Sequence, residues 1–273
     1  MAVSVAQTNI AGNQADMDMS NALAADLDEL ARACRVLELE GHGDRVVGHM
    51  ALRDPDGRGF WMKRAGIALG EVFDRRDFVL LDFDGRKRAG DGTSHGEWPI
   101  HAEILRRRPD INASAHTHPF YASIYSAAET PLATIVPRAT TQPLRTPRFD
   151  DSSGLIGTSD MAEEMVAVMG NHHAVLLRNH GLVTCGPGIK EPVLIAIAVE
   201  KMCQESLIIN GSNLEFRTPD EGELAHKLEE GTQLDPAIVG GDVLYDYYCR
   251  KLARAEAAGN PLLATERVPV RKG

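Results

Sequence analysis

The chain has 273 residues, of which 43% are apolar and 25% are charged, and its formal net charge is -10 at pH 7. These proportions are ordinary for a soluble globular protein. The negative charge argues against nonspecific binding of nucleic acid, which depends on a basic surface. No apolar run approaches the roughly 18 residues of a membrane helix. Residues 1–18 are polar and acidic, lack a signal-peptide pattern, and are expected to be disordered.

Apolar residues recur every three or four positions over residues 20–40, which predicts an amphipathic helix. Gly41 suits the end of that helix. Aspartate, proline and glycine then mark turns among three predicted strands, and a short helix precedes Pro109. The predicted strands are 45–53, 59–63 and 77–83, and the predicted helix is 97–108.

The second half of the chain continues the alternation of strands and helices. Apolar runs predict strands at 111–116, 132–136, 174–177 and 182–185. Helices are predicted through Tyr121 and Tyr125, then at 158–169, 188–210 and 235–258. The proline-rich residues 137–149 are predicted to form an ordered loop, and the acidic residues 218–230 a surface segment.

This interleaving favours one α/β domain with helices on both faces of a sheet. Residues 216–273 are predicted to form a helical extension that packs on the domain or on a neighbouring subunit. The four cysteines lie far apart without a CxxC pair, which indicates reduced thiols and a cytoplasmic protein.

Histidines provide the clearest functional signal. His116 and His118 are two residues apart at the end of a predicted strand, so both imidazoles can face one point. Glu97 and His101 are four apart on a predicted helix and share a face. His180 lies in a predicted tight turn between two apolar runs. Three neutral histidines and a carboxylate fit a catalytic divalent-metal site with an open position for substrate.

Less specific interpretations remain for several of these residues. A His-x-His pair alone is often only hydrogen-bonded at a surface. The pair His172 and His173 is predicted to lie in a solvated loop. A structural zinc site is less compatible with the sequence, because no cysteine neighbours the histidines. His49 and His95 lie in segments that could border the same pocket.

Four motifs resemble those of the class II aldolase/adducin family: GEWPIH at 96–101, RPD at 108–110, HTHP at 116–119 and RNHGLV at 178–183. The resemblance spans approximately residues 23–211. It implies a catalytic domain at 19–215 with a three-layer α/β/α sandwich and a largely antiparallel central sheet. It also implies a homotetramer with active sites between subunits.

The resemblance further implies a divalent metal ion held by His116, His118 and His180. Glu97 would be the acid/base residue and a fourth metal ligand when substrate is absent. Zn²⁺ or Mn²⁺ is expected, and Fe²⁺ or Co²⁺ would also suit these donors.

Three loops depart from the phosphate-binding loops of the sugar-phosphate aldolases in this family. They read Val-Gly-His at 47–49, Lys-Arg-Ala-Gly at 63–66 and Ser-His-Gly at 94–96. The substitutions in the first and third loops remove hydroxyl and amide donors, whereas the second loop gains two cations. An arginine fork suits a planar carboxylate. We therefore expect Arg64, Lys63, Gly66 and His101 to contact substrate. The alternative is that the two cations only end a strand in solvent.

The resulting hypothesis is a metal-dependent lyase that acts on a small carboxylic acid. It would decarboxylate a hydroxylated aromatic or pyridine dicarboxylate, or a related ring-cleavage acid, through a metal-stabilised enolate or phenolate. Glu97, His49 or His95 would deliver the proton to carbon. The alternatives are an aldolase or epimerase acting on a hydroxy-aldehyde or sugar phosphate, and a noncatalytic adducin-like scaffold.

Overall fold

The structure is a computed structural model that describes residues 20–136, 145–151, 154–233 and 240–270. Its helices are α1 (Asn21–Leu39), α2 (Trp98–Arg107), α3 (Phe120–Tyr125), α4 (Ser159–Met169), α5 (Lys190–Asn210), α6 (Glu221–Gln233) and α7 (Gly241–Ala257). Its strands are β1 (His49–Arg53), β2 (Phe60–Lys63), β3 (Phe78–Leu81), β4 (Lys87–Ala89), β5 (Ala113–Thr117), β6 (Arg148–Phe149), β7 (Ala174–Leu177) and β8 (Gly181–Gly186). The disorder predicted for residues 1–18 lies outside the described residues.

These strands form one sheet in the order β4-β3-β2-β1-β5-β8-β7-β6. Every neighbouring pair is antiparallel except β6 and β7, which are parallel. The central strands β1, β5 and β8 are almost entirely buried. Side chains on these strands are therefore covered on both faces of the sheet.

Helices cover the two faces because successive strand residues point to opposite sides. On β1, Met50 and Leu52 belong to an apolar cluster shared with α1, α5 and α7. Ala51 belongs to a second cluster, shared with α2 and α4. The predicted three-layer α/β/α sandwich with a largely antiparallel sheet is confirmed.

Helix α1 shows how the sequence pattern becomes structure. The Ser20 side chain accepts a hydrogen bond from the Leu23 backbone N–H at 3.2 Å, which caps the start of the helix. The apolar positions that predicted this helix are the ones it buries. On the same face of the sheet, Tyr245 of α7 donates its hydroxyl to Glu29 of α1 at 2.6 Å. This bond ties the C-terminal helix to the first helix of the domain.

The structure contradicts one sequence-based prediction, confirms a second and does not describe part of a third. Residues 132–136 contain no strand. The edge strand that pairs with β7 is instead the short β6. The acidic residues 218–230 form the predicted surface segment, since most of the described side chains there are exposed, and from Glu221 onward they lie in helix α6. Residues 137–144 of the predicted loop lie outside the described residues.

All four cysteines are free thiols, in agreement with their spacing. Within the described part of the chain, none of the helices combines the length and apolar character needed to cross a membrane.

Candidate metal centre

Three histidines meet where β5 ends and β8 begins. His116 is on β5, His118 comes just after it, and His180 precedes β8 in the turn from β7. Because β5 and β8 are antiparallel neighbours, the end of one lies beside the start of the other. The distances between the three imidazole ring centroids are 4.8 to 4.9 Å.

The β7–β8 turn needs two residues with special backbone properties. Asn179 has a φ of 54°, a left-handed conformation that asparagine adopts more readily than most residues. Gly181 lies so close to β5 that a Cβ atom there would be 2.5 Å from the Thr117 carbonyl oxygen and 2.7 Å from Cδ2 of His118. The glycine therefore lets the turn carrying His180 approach the other two histidines.

Glu97, just before helix α2, completes this group. Its carboxylate oxygens are 3.4 Å from Nε2 of His116 and 3.7 Å from Nε2 of His180. The Ile156 backbone N–H donates to Oε1 of Glu97 at 3.0 Å and holds the carboxylate in place. We call Glu97, His116, His118 and His180 the ligand cluster. One ligand atom from each lies within 4.8 Å of those of the others.

Hydrogen bonds outside the ligand cluster determine which ring nitrogens face inward. Nδ1 of His116 is 3.1 Å from the Leu182 carbonyl oxygen, and Nδ1 of His118 is 3.3 Å from Oδ2 of Asp44. Both partners are acceptors, so a neutral ring donates through Nδ1 and keeps a lone pair on Nε2. The two Nε2 atoms are only 3.0 Å apart. Facing lone pairs beside a carboxylate repel one another unless a cation lies among them, and this donor set therefore fits a divalent metal ion.

The protonation states of the ligand cluster also suit a metal ion. Burial raises the pKa of Glu97, but the neighbouring His116 and His180 rings and the Ile156 N–H outweigh it and bring the pKa to about 2. Burial and the neighbouring His116 lower the pKa of His180 to about 4. An ionised carboxylate and a neutral imidazole are the forms that ligate metals.

A second histidine group lies beside the first. Nδ1 of His49 is 2.7 Å from Nε2 of His101, and Nδ1 of His101 is 2.7 Å from Oγ of Ser114. All three side chains are buried, and we call them the imidazole chain. The His49 ring is 4.6 Å from that of His95, whose Nε2 donates to the Val46 carbonyl oxygen at 3.2 Å.

The sequence analysis predicted that Glu97 and His101 share one helix face, but the structure places them in different groups. Both belong to the start of α2, but Glu97 enters the ligand cluster and His101 enters the imidazole chain. His49 connects the two groups spatially, because it is opposite His116 in the β1–β5 register and their rings are 5.2 Å apart. Burial lowers the pKa of His101 to about 3, which keeps that ring neutral.

Lys63, the last residue of β2, is fully buried. Its ammonium donates to the backbone carbonyls of Val46 at 3.3 Å, of Arg64 at 3.5 Å, and of Ile67. Burial lowers its pKa to about 8. The Lys63 ammonium therefore holds three backbone carbonyls in place and is not exposed to solvent at the end of its strand.

Arg64 is 3% exposed, and its Nε donates to Oδ1 of the buried Asp77 at 2.9 Å. Its Nη2 donates to the Val268 carbonyl oxygen, so the guanidinium holds the C-terminal segment. The alternative that the two cations only end a strand in solvent is wrong, because both side chains are buried. The substrate contact expected of them stays a prediction. Gly66, by contrast, is exposed, with a φ of 81° and open space where a Cβ would be.

Sequence analysis did not identify three groups that support the ligand cluster. Asp44 and the Ile156 backbone N–H bond directly to ligand-cluster residues. Glu200 of α5 accepts the N–H groups of Tyr121 and Ala122 at 2.9 and 2.7 Å, which fixes the segment that follows His118. All of these contacts join residues more than 50 positions apart, and no local pattern marks them.

Comparisons with known proteins place this geometry in context. The family model for the Class II Aldolase and Adducin N-terminal domain matches residues 28–207. The 3,4-dihydroxyphthalate decarboxylase of Terrabacter sp. strain DBF63 is 34% identical over 201 residues, which cover 70% of this chain and 84% of that protein. The L-fuculose phosphate aldolase of Methanococcus maripaludis is 28% identical over 185 residues, which cover 68% and 98% respectively.

A solved structure shows the same fold. An aldolase II superfamily protein from Pseudomonas syringae superposes with a TM-score of 0.75 at 23% sequence identity, over 89% of this chain and 97% of that one.

Proposed function

The chain belongs to the class II aldolase and adducin family, and we propose that it is a divalent-metal-dependent lyase that decarboxylates a hydroxylated aromatic or pyridine dicarboxylate, or a related ring-cleavage acid. One observation carries the proposal: Glu97 and three histidines offer ligand atoms within 4.8 Å of one another. Decarboxylation is favoured over aldol cleavage by the 34% identity to a 3,4-dihydroxyphthalate decarboxylase, against 28% to an L-fuculose phosphate aldolase.

His116, His118 and His180 would hold the metal, and Glu97 would join them when substrate is absent. Imidazole and carboxylate ligands suit Zn²⁺ or Mn²⁺, and also Fe²⁺ or Co²⁺. When bound, such an ion supplies Lewis-acid charge that withdraws electron density from a hydroxyl and an adjacent carboxylate of the substrate.

Glu97 is the residue best placed to move the proton. Its ionised carboxylate, held by the Ile156 N–H, can accept the proton of the substrate hydroxyl and pass it to the ring carbon that bears the departing carboxylate. The bond to CO₂ then breaks, its electron pair restores the aromatic ring, and the oxygen regains a proton from water. The sequence-based alternatives for this proton donor, His49 and His95, stay predictions, and the structure suggests another role for His49.

The loops beside the ligand cluster also support an acidic aromatic substrate. The ring of His95 lies against that of His49 where the family's aldolases carry hydroxyl and amide side chains. Next to them, Gly66 and Gly96 leave open space, since a Cβ at either position would meet no atom within 4 Å. A planar substrate could therefore enter between these loops and the ligand cluster.

The direct test is release of CO₂ from 3,4-dihydroxyphthalate by the metal-loaded protein, followed by chromatography of the 3,4-dihydroxybenzoate formed. We expect turnover that a chelator abolishes and that added metal restores. Glu97→Gln should reduce kcat by roughly 100-fold or more, because general acid–base catalysis typically contributes 10²–10⁴-fold. Glu164→Gln, the same change at an exposed glutamate of α4, is the matched control.

The second candidate is an aldolase, favoured by the 98% coverage of the L-fuculose phosphate aldolase. Cleavage of L-fuculose 1-phosphate without CO₂ release from any hydroxylated aromatic diacid would establish it instead. Absence of bound metal after purification and reconstitution would favour the noncatalytic scaffold.

We also propose that a homotetramer completes the site. The short helix α3 follows His118 directly and exposes Phe120 by 68% and Ile124 by 47%. Apolar side chains this exposed beside a site commonly mark a protein interface. Sedimentation velocity should give four chains per particle; a monomer with full activity would contradict the assembly.

A further inference from the structure

The imidazole chain ends in a nitrogen that no part of the proposed proton transfer uses. His49 is fully buried, and its Nε2 has no hydrogen-bond partner among the residues that the structure describes. Buried polar atoms are nearly always paired, because an unmade hydrogen bond in the interior is unfavourable. An unpaired ring nitrogen beside the ligand cluster therefore indicates a partner that arrives with the substrate.

The hydrogen bonds behind His49 determine whether Nε2 is a donor or an acceptor. If the Ser114 hydroxyl donates to Nδ1 of His101, then Nε2–H of His101 donates to Nδ1 of His49, and His49 carries its proton on Nε2. Among the described residues each order leaves one donor without an acceptor: Nε2–H of His49 in the first order, and the Ser114 O–H in the reverse order. The donor on His49 lies beside the ligand cluster, with its ring 5.2 Å from that of His116, so a substrate group can accept from it, whereas the Ser114 hydroxyl is buried beneath His101. The first order is therefore favoured, and Nε2 of His49 is an N–H donor, as it also would be in a protonated ring.

The surroundings of His49 favour an anion as the acceptor. The positive charge of the buried Lys63 ammonium lies close to the His49 and His95 rings, because Lys63 and Nε2 of His95 donate to the same Val46 carbonyl oxygen, at 3.3 and 3.2 Å, and the His95 ring is 4.6 Å from that of His49. The same charge stabilises a negative group beside these rings. Lys63 cannot itself be the direct contact, because its ammonium is occupied by backbone carbonyls.

We propose that His49 donates a hydrogen bond from Nε2 to the second carboxylate of the substrate, the one that is retained, and that His101 and Ser114 are positioning residues that fix this tautomer. The inference rests on the proposed function, since it concerns the acidic group that distinguishes a diacid from a monoacid. It gives the imidazole chain a role in specificity, whereas the ligand cluster and Glu97 perform the chemistry.

The test compares two substrates that differ only in that group. 3,4-Dihydroxyphthalate carries both carboxylates, and 2,3-dihydroxybenzoate keeps only the carboxylate next to a hydroxyl. In His49→Phe, kcat/KM for the diacid should fall roughly 10- to 100-fold, the range expected for a hydrogen bond to a charged group. The fall should appear mainly in KM, and the monoacid should change much less.

Ser114→Ala removes one oxygen from β5 and also serves if His49→Phe does not fold. Without the Ser114 hydroxyl, the opposite tautomer of the imidazole chain becomes accessible, so KM for the diacid should rise by a smaller factor than in His49→Phe. A purely structural effect would weaken both substrates alike. His172→Phe, the same substitution at an exposed position, should leave the ratio between the two substrates unchanged.

Two results separate failure of this inference from failure of the proposed function. If CO₂ is released but the variants weaken both acids equally or lower only kcat, the role of His49 is overturned and decarboxylation stands. If neither acid is decarboxylated, calorimetric binding of both acids to the metal-loaded protein decides the question. A diacid preference lost in His49→Phe supports the inference, and absence of any preference overturns it.

Discussion

Two histidine groups lie side by side on one face of the sheet, and their hydrogen bonds make them different kinds of site. In the ligand cluster, His116 and His118 donate through Nδ1 to acceptors outside the cluster and present Nε2 inward. In the imidazole chain, His49 and His101 bond to each other, and the chain ends at a serine hydroxyl rather than a carboxylate. The first arrangement directs several nitrogen lone pairs toward one position, where a cation can bind. The second is a linear series of hydrogen bonds.

The difference shows that histidine content alone does not define a metal site. The partner of the outer ring nitrogen orients the ring and decides which nitrogen can ligate. His49 and His116 are opposite each other in the β1–β5 register, yet only His116 has a carbonyl acceptor that turns its free nitrogen toward Glu97. Neighbouring positions on one sheet can therefore have separate tasks.

The largest expected effect follows from removing a ligand. His116→Ala should lose its bound metal and at least about 1,000-fold in kcat/KM, equivalent to roughly 4 kcal/mol of transition-state stabilisation. The cause is the loss of one of three neutral donors in a site with a single carboxylate. Metal content by mass spectrometry and turnover on the same sample measure both losses.

The comparison of the two groups supplies the control. His101→Asn alters the imidazole chain and should retain its metal, because His101 makes no contact that orients a ligand. If His101→Asn and His116→Ala lost metal equally, the separation into two groups would not hold.

The next effect concerns Arg64, the buried cation that directly follows β2. Arg64→Met removes the more deeply buried of two guanidinium partners of Asp77, since Arg64 and Arg267 both contact that carboxylate at 2.9 Å. Loss of one partner of a buried ion pair typically costs 3–5 kcal/mol, so the free energy of unfolding should fall by about 3 kcal/mol. Denaturant titration measures this change.

The same variant sharpens the comparison by asking whether Arg64 also binds substrate. A structural role predicts lower stability with little change in KM. Arg86→Met, which removes an exposed ion pair with Asp84 at 3.6 Å, should change stability by less than about 1 kcal/mol. A large rise in KM without loss of stability in Arg64→Met would support the carboxylate fork expected from the sequence.

Local sequence pattern predicted the elements that depend on local periodicity. The helix expected at 20–40 forms over Asn21–Leu39, because its apolar stripe is continuous and Ser20 caps its start. The run 132–136 was also apolar but is not a strand: the Ala133 carbonyl oxygen accepts from the Ser206 hydroxyl of α5 at 3.5 Å, and β6 is the strand that pairs with β7. Strand formation depends on a neighbouring strand with free backbone groups, which a local apolar run does not encode.

The candidate site likewise has parts that local spacing predicted and parts that it did not. Spacing alone placed His116 and His118 toward one point, since strand geometry extends over two residues. The environments of Lys63 and Arg64 were not predictable, because their partners lie in loops and in the C-terminal segment. Long-range hydrogen bonds determine whether a cation is free for substrate, and no spacing rule encodes them.

The smallest expected effect tests the orienting carboxylate of the ligand cluster. Asp44 accepts from Nδ1 of His118 at 3.3 Å and holds Nε2 toward the cluster, so Asp44→Ala should weaken metal binding about 10- to 100-fold, as is typical for groups that orient a ligand. Competition with a chromophoric chelator measures the affinity. Arg45 also pairs with Asp44 at 2.8 Å but is 83% exposed, so Arg45→Ala should change affinity far less. Unchanged metal affinity in Asp44→Ala would mean that ring packing alone orients His118, and the distinction between the two histidine groups would then rest on His116 and its backbone acceptor.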